Sequence, residues 1–287
     1  MPLHIHTPLI ESAPLSRAAG RPVWLKLEAL QPPGSFKIRG IGAACEHYAQ
    51  LGAKRFVSSS GGNAGLAVAY AGRHLKLPVT VVVPETTSER ARQLLRLEGA
   101  DVIVHGASWQ EANALAQSLL TATDAFLHPF DNPLLWTGHA TMIDEVAAAG
   151  NKPDAVLLAV GGGGLLAGVM EGLARNGWGD VPVLAVETQG AASLHAAMQA
   201  GQPTALDAVT SIATSLGARQ VCAKALPSRP WISSRFSVPV TASNPVANTI
   251  MSTSYSPALV LKPVGVRATS CSSRRSTNET LSRLNVS

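Results

Sequence analysis

Three stretches, Val79–Pro84 (VTVVVP, β-branched and continuous), Ala155–Val160 (AVLLAV) and Val181–Val186 (VPVLAV), run uncharged and almost wholly apolar for the length of one strand. An uninterrupted apolar strand needs cover on both faces, so these runs predict a parallel sheet wrapped by helices. The segments between them agree. Val23–Glu28 alternates as a half-buried strand, and Arg55–Ser58 and Val102–His105 are further short strands. Helical patterns cover Phe36 to about Ala49, Asn63–Leu75, Ser88–Glu98, Trp109–Ala122, Pro133–Ala149, Leu165–Arg175 and Ala192–Ala200. Repeated strand–turn–helix units place ligands beyond the carboxyl ends of the strands. Both glycine-rich turns of the chain, Ser59–Gly65 and Gly161–Gly164, fall at such ends.

Three segments can carry chemistry. In PGSFKIRG, Lys37 follows a Pro-Gly turn and opens a helix. The positive end of a helix lowers the pKa of an amine, and a neutral lysine can condense with a carbonyl. Taken alone, this segment is better read as a surface lysine after a turn. In SSSGGNAG (Ser58–Gly65), glycines let backbone N–H groups converge on an anion at a helix start, with Ser60 and Asn63 as donors or caps. A plain helix cap explains that segment about as well. Gly161–Gly164 are four consecutive glycines between a buried strand and a helix. They form neither a Walker motif nor a good dinucleotide fingerprint. A tight turn seldom needs four glycines, so a phosphate cradle is favoured. A lysine, an anion loop and a separate phosphate loop together suit pyridoxal phosphate.

The segments SFKIRG, SSGGNAG, HPFDNPLLWTGHA and VGGGGLLAGV, with GWGDVPVLAVET and LGARQVCAKAL, resemble the fold type II pyridoxal-phosphate enzymes. The serine/threonine dehydratases, and among them the short serine dehydratases, carry the same motifs in the same order over about residues 2–226. The resemblance implies a two-domain α/β fold of the tryptophan synthase β-like class, with parallel sheets. Residues 1–38 and 136–226 would form the larger cofactor domain and 39–135 a smaller mobile one. It implies that Lys37 forms the Schiff base and Phe36 packs beside the cofactor ring. Asn63 would bond the ring's 3′ oxygen, and Gly161, Gly162, Gly163 and Gly164 would hold the phosphate. Ser60, Gly61, Asn63 and Ala64 would hold the substrate carboxylate. Glu187, with oxygens near Ala191, Ser193 and Leu216, would hold a monovalent cation such as potassium. The implied reaction is α,β-elimination of L-serine to pyruvate and ammonia, with L-threonine giving 2-oxobutanoate. Threonine dehydratase or a β-replacement synthase of the same fold is the alternative, as is a relic that only binds cofactor. SSGGNAG, without a threonine in the carboxylate loop, argues against a cysteine synthase. Family members are commonly homodimers.

Composition decides the remaining classes. The chain has 287 residues and a net charge of +5. Seven of its 23 basic residues but one of its 18 acids lie in 227–287, so residues 1–226 carry 16 basic and 17 acidic side chains. The positive excess belongs to the last stretch, which argues against a nucleic-acid partner for the body. Residues 227–287 hold 14 Ser, six Thr and six Pro, and the family likeness stops at about Leu226. Out-of-frame sequence replacing the family's C-terminal part is the favoured reading, ahead of a disordered extension or a basic arm. A domain without its last strands would expose a sheet edge. No apolar run reaches the roughly 18 residues of a membrane span. The first residues lack a signal-peptide pattern, and three scattered cysteines suit a reducing cytoplasm.

Overall fold

The computed structural model describes residues 1–150, 152–213, 216–226 and the two strands 232–238 and 258–261. In chain order the elements are β1 (Leu9–Glu11), α1 (Ala13–Ala19), β2 (Val23–Lys26), α2 (Lys37–Gln50), β3 (Arg55–Ser58), α3 (Asn63–Leu75), β4 (Val79–Val83), α4 (Glu89–Leu97), β5 (Asp101–Val104), α5 (Trp109–Ser118), β6 (Asp124–Phe126), α6 (Pro133–Ala148), β7 (Ala155–Ala159), α7 (Gly164–Arg175), β8 (Val183–Thr188), α8 (Ser193–Ala200), β9 (Ile232–Val238) and β10 (Ala258–Leu261). They build two sheets. One has four parallel strands in the order β5-β4-β3-β6. The other has six in the order β1-β2-β10-β7-β8-β9.

The apolar runs behave as their composition requires. All five residues of β4 are buried, and β7 and β8 pair in parallel from Val156↔Val183 to Ala159↔Val186. The second sheet is mixed. β2 is antiparallel to β1, and β10 is antiparallel to both β2 and β7. Two segments of the Ser- and Pro-rich stretch are therefore strands. β10 covers the edge of β7, where an exposed edge was expected, and β9 extends the sheet beside β8. Neither Ile232–Val238 nor Ala258–Leu261 contains a proline, which suits strands whose N–H groups must pair.

Each sheet has its own apolar core. Val156, Leu158, Leu166, Val169 and Ala185 pack between β7, β8 and α7. Ile38, Ile41, Phe56, Val68 and Val81 pack α2 and α3 on the four-stranded sheet. α2 also lies close against α6. A Cβ at Gly138 would sit 2.4 Å from the Arg39 carbonyl, and one at Gly40 would sit 2.5 Å from the Leu135 carbonyl, so only glycine permits this approach.

That helix contact encloses a cluster of charges. Arg39 is fully buried. Its Nε and Nη2 donate to Glu28 Oε2 and Oε1 at 2.7 and 2.8 Å. Its Nη1 and Nη2 donate to Glu145 Oε1 and Oε2 at 2.7 and 2.9 Å. Lys26, also buried, donates to Glu145 Oε2 and to Thr7 Oγ1. Two cations face two carboxylates, and the segment before β1, β2, α2 and α6 all contribute. Arg39→Met would leave Glu28 and Glu145 without their shared partner. It should destabilise the protein by about 3–5 kcal/mol, read as a lowered midpoint in urea unfolding with an unchanged slope.

Candidate active site

Lys37 is the first helical residue of α2, set there by the turn at Gly34, whose N–H donates to the Gln31 carbonyl at 2.7 Å. Its Nζ donates to the Pro129 carbonyl at 2.6 Å and lies 5.3 Å from the centre of the Phe36 ring. Burial lowers its pKa to about 8, against a small opposing effect of the Cys222 thiol. The direction is the one expected from the sequence, and the main cause is desolvation of the ammonium.

Pro129 belongs to a short strap, residues 127–130, that follows β6. Leu127 N–H donates to the Val57 carbonyl at 2.8 Å, and Ser58 Oγ donates to the Leu127 carbonyl at 3.4 Å. The strap therefore runs beside the end of β3, where the Ser59–Gly65 turn begins. On its other side Phe130 presses on the glycine loop. A Cβ at Gly162 would lie 2.3 Å from the Phe130 ring, and one at Gly164 would lie 2.7 Å from its carbonyl. One strap thus touches Lys37, the end of β3 and the glycine loop.

The glycine loop opens α7, with Gly163 in the N-cap position at φ +86°. A left-handed backbone there excludes ordinary side chains, and Val221, Cys222 and Ala225 fill the space a Cβ would need. The Cys222 N–H donates to the Gly162 carbonyl at 3.0 Å. Helix geometry leaves the first N–H groups of α7 without intrahelical acceptors, so they can face an anion.

In the other turn, Gly62 takes the N-cap position of α3 and Asn63 is the first helical residue, so Asn63 is not itself the N-cap. Ser60 Oγ accepts from the Gly62 N–H at 3.3 Å. Gly61 lies against Thr87, and Ala64 is buried.

The residues expected at a cation gather behind the glycine loop, on the side of α8. Ser193 Oγ donates to the Gly161 carbonyl at 3.3 Å, and the Leu216 carbonyl faces Gly161. Glu187 is buried, and burial raises its pKa. Its Oε1 and Oε2 accept from the N–H groups of Leu194 and His195 at 2.7 and 2.8 Å, so it caps α8. Ala191 N–H donates to the Thr188 carbonyl at 3.0 Å.

Sequence reasoning missed His128, Pro129, Phe130, His139 and Cys222. The motif HPFDNPLLWTGHA was visible, but nothing in its pattern says that a proline carbonyl meets Lys37.

The sequence matches the family described as "Pyridoxal-phosphate dependent enzyme" over residues 1–231. The chain belongs to this family. It is 52% identical over 228 residues to a mouse protein, "Serine dehydratase-like" [Mus musculus], covering 78% of this chain and 69% of that one. It is 50% identical to a human protein, "L-serine dehydratase/L-threonine deaminase" [Homo sapiens], covering 78% and 70%. A solved structure, a fungal L-serine ammonia-lyase from Rhizomucor miehei, superposes with a TM-score of 0.74 at 39% identity, covering 79% and 73%. The residues present fit the family's cofactor. A half-buried lysine with an amine of lowered pKa shares a strap with a glycine cradle at a helix start, and the buried Ser35 Oγ, two residues before Lys37, has no hydrogen-bond partner among the described residues.

The amine's chemistry gives a direct check. Labelling of Lys37 by trinitrobenzenesulfonate in the cofactor-free chain, followed by peptide mass spectrometry, should reach half its limiting rate near pH 8, below the ordinary 10.5. A midpoint at the ordinary value would contradict the burial argument.

Proposed function

We infer that this chain is a pyridoxal-phosphate dependent ammonia-lyase that converts L-serine to pyruvate and ammonia, with L-threonine going to 2-oxobutanoate. The observation that carries the reading is the Lys37 amine, half-buried, of lowered pKa, and tied by one strap to the glycine loop. The names of the mouse and human relatives and of the fungal structure support the substrate.

When bound, the cofactor supplies an aldehyde that condenses with amines and a ring that withdraws charge from the adjacent substrate carbon. Lys37 Nζ would hold it and, as a free amine, would take the Cα proton as general base. A pKa near 8 leaves part of the amine neutral at physiological pH, where an ordinary lysine is almost wholly charged. Gly161, Gly162, Gly163 and Gly164, with the first turn of α7, hold the phosphate. Phe36 packs beside the ring and Asn63 bonds its 3′ oxygen. Ser60, Gly61, Asn63 and Ala64 hold the substrate carboxylate. The β-hydroxyl leaves as water and water enters as ammonia departs, so pyruvate and ammonia balance serine.

Residues 1–38 and 136–226 act as the cofactor domain, and 39–135 as a smaller domain that moves on it. The two separate sheets and cores support this division. A potassium ion beside Glu187, Ala191, Ser193 and Leu216 would stiffen the back of the glycine loop through Gly161. The enzyme acts as a homodimer in the cytoplasm, a compartment that suits the free, buried thiols of Cys45 and Cys222.

Two measurements test this. The purified chain with L-serine should release pyruvate, and Lys37→Ala should abolish both turnover and the visible absorbance of the bound cofactor. Full activity in that variant would overturn the assignment. Replacing potassium by tetramethylammonium should lower kcat in the parent protein, and an unchanged kcat would remove the cation from the reading.

A further inference from the structure

The strap holds its shape through one side chain. His128 Nδ1 accepts from the N–H of Asp131 at 2.8 Å and from the N–H of Phe130 at 3.3 Å. A ring nitrogen that accepts two N–H donors carries no proton itself, so this is a neutral imidazole with its hydrogen on Nε2. The ring is gripped by aromatics. Phe130 meets it edge-on with centres 4.7 Å apart, and Phe126 and Trp109 stand at 6.4 and 6.5 Å.

The turn closed by Nδ1 is the one that aims the strap. It follows the Pro129 carbonyl that receives Lys37 Nζ, and it fixes Phe130, whose ring lies on Gly162. We propose that His128 is a positioning residue of the active site, its Nδ1 acting as the acceptor that folds residues 128–131 and so sets both the Lys37 amine and the glycine cradle. This rests on the reading of Lys37 as the cofactor lysine.

A protonated His128 could not play this part. A hydrogen on Nδ1 would oppose two N–H donors, and the turn would open. The charged groups acting on the ring are Asp131, which favours its protonation, and Lys37, which opposes it. Burial is the largest effect and also opposes it, so the pKa lies below the ordinary 6.5. The turn is therefore fully formed above that value and is lost as pH falls through the lowered pKa.

Two variants separate the acceptor from the titration. His128→Asn keeps an oxygen that can accept from the N–H two residues on, but it does not titrate. His128→Leu keeps bulk and loses the acceptor. The full-length chains, freed of cofactor with hydroxylamine, are titrated with pyridoxal 5′-phosphate and followed by visible absorbance over roughly pH 5–8. At neutral pH, His128→Leu should bind about tenfold more weakly, and His128→Asn should bind close to the parent protein. Towards acid pH, the parent protein should lose affinity more steeply than His128→Asn, by about tenfold per pH unit for one proton. The titrations of Lys37 and of the cofactor phosphate are common to both curves, so the difference belongs to His128. Parent-like affinity in His128→Leu, or the same acid limb in His128→Asn, would overturn the proposal. If His128→Leu does not fold, the two remaining acid limbs decide alone. Failure of the Lys37 reading looks different, because the parent protein itself would then show no absorbance that depends on Lys37.

Discussion

Arg39 lies two residues from Lys37 on α2 and is wholly enclosed. Its guanidinium bonds both oxygens of Glu28 and both of Glu145, and its Nη1 also donates to Thr141 Oγ1 at 3.0 Å. Burying one such charge costs several kcal/mol, so the arrangement survives only because every charge has an opposite charge and directed bonds. Those bonds come from far apart in the chain. Glu28 follows β2, Glu145 lies on α6, and Thr7 bridges Glu28 and Lys26 from the segment before β1. Sliding or turning α2 would break several charge-assisted bonds at once. The first turn of α2, and with it Lys37, is therefore fixed from behind by ionic bonds and from the front by the Pro129 carbonyl.

The sequence was most legible where a single element decides the outcome. Apolar runs gave β4, β7 and β8, because burial on both faces leaves a local trace. The glycines at 161–164 announced a close approach, and four in a row exceeded what a turn needs. Three-residue strands such as β1 and β6 were invisible, because three residues carry no period. The tail was legible only as a whole. Its serines and prolines describe the stretch as a whole, while Ile232–Val238 and Ala258–Leu261 are proline-free gaps long enough to pair with β8, β2 and β7. In the site, the motif residues were legible as residue types, but their meeting was not. Arg39 and Glu145 are 106 positions apart and Lys37 and Pro129 are 92 apart, and no spacing rule spans such distances.

The surroundings of Lys37 explain why its proton is loosely held. Among the described residues, no carboxylate is a cause of its pKa shift; burial dominates, and Cys222 opposes it. That thiol is itself pushed up to about 11, chiefly by burial. As pH rises Lys37 therefore loses its proton well before Cys222 does, and no ammonium–thiolate pair forms to trap the charge. His139 lies on the same side, its ring edge-on to Phe36 at 5.0 Å. Burial, then Lys37 and Arg39, hold its pKa well below 6.5. A neutral imidazole and a neutral thiol bring the amine no counter-charge among the described residues. Glu28 and Glu145 are engaged by Arg39 and Lys26 behind the first turn of α2. The ionic cluster thus anchors α2 from behind, while desolvation at its tip lowers the pKa of the amine.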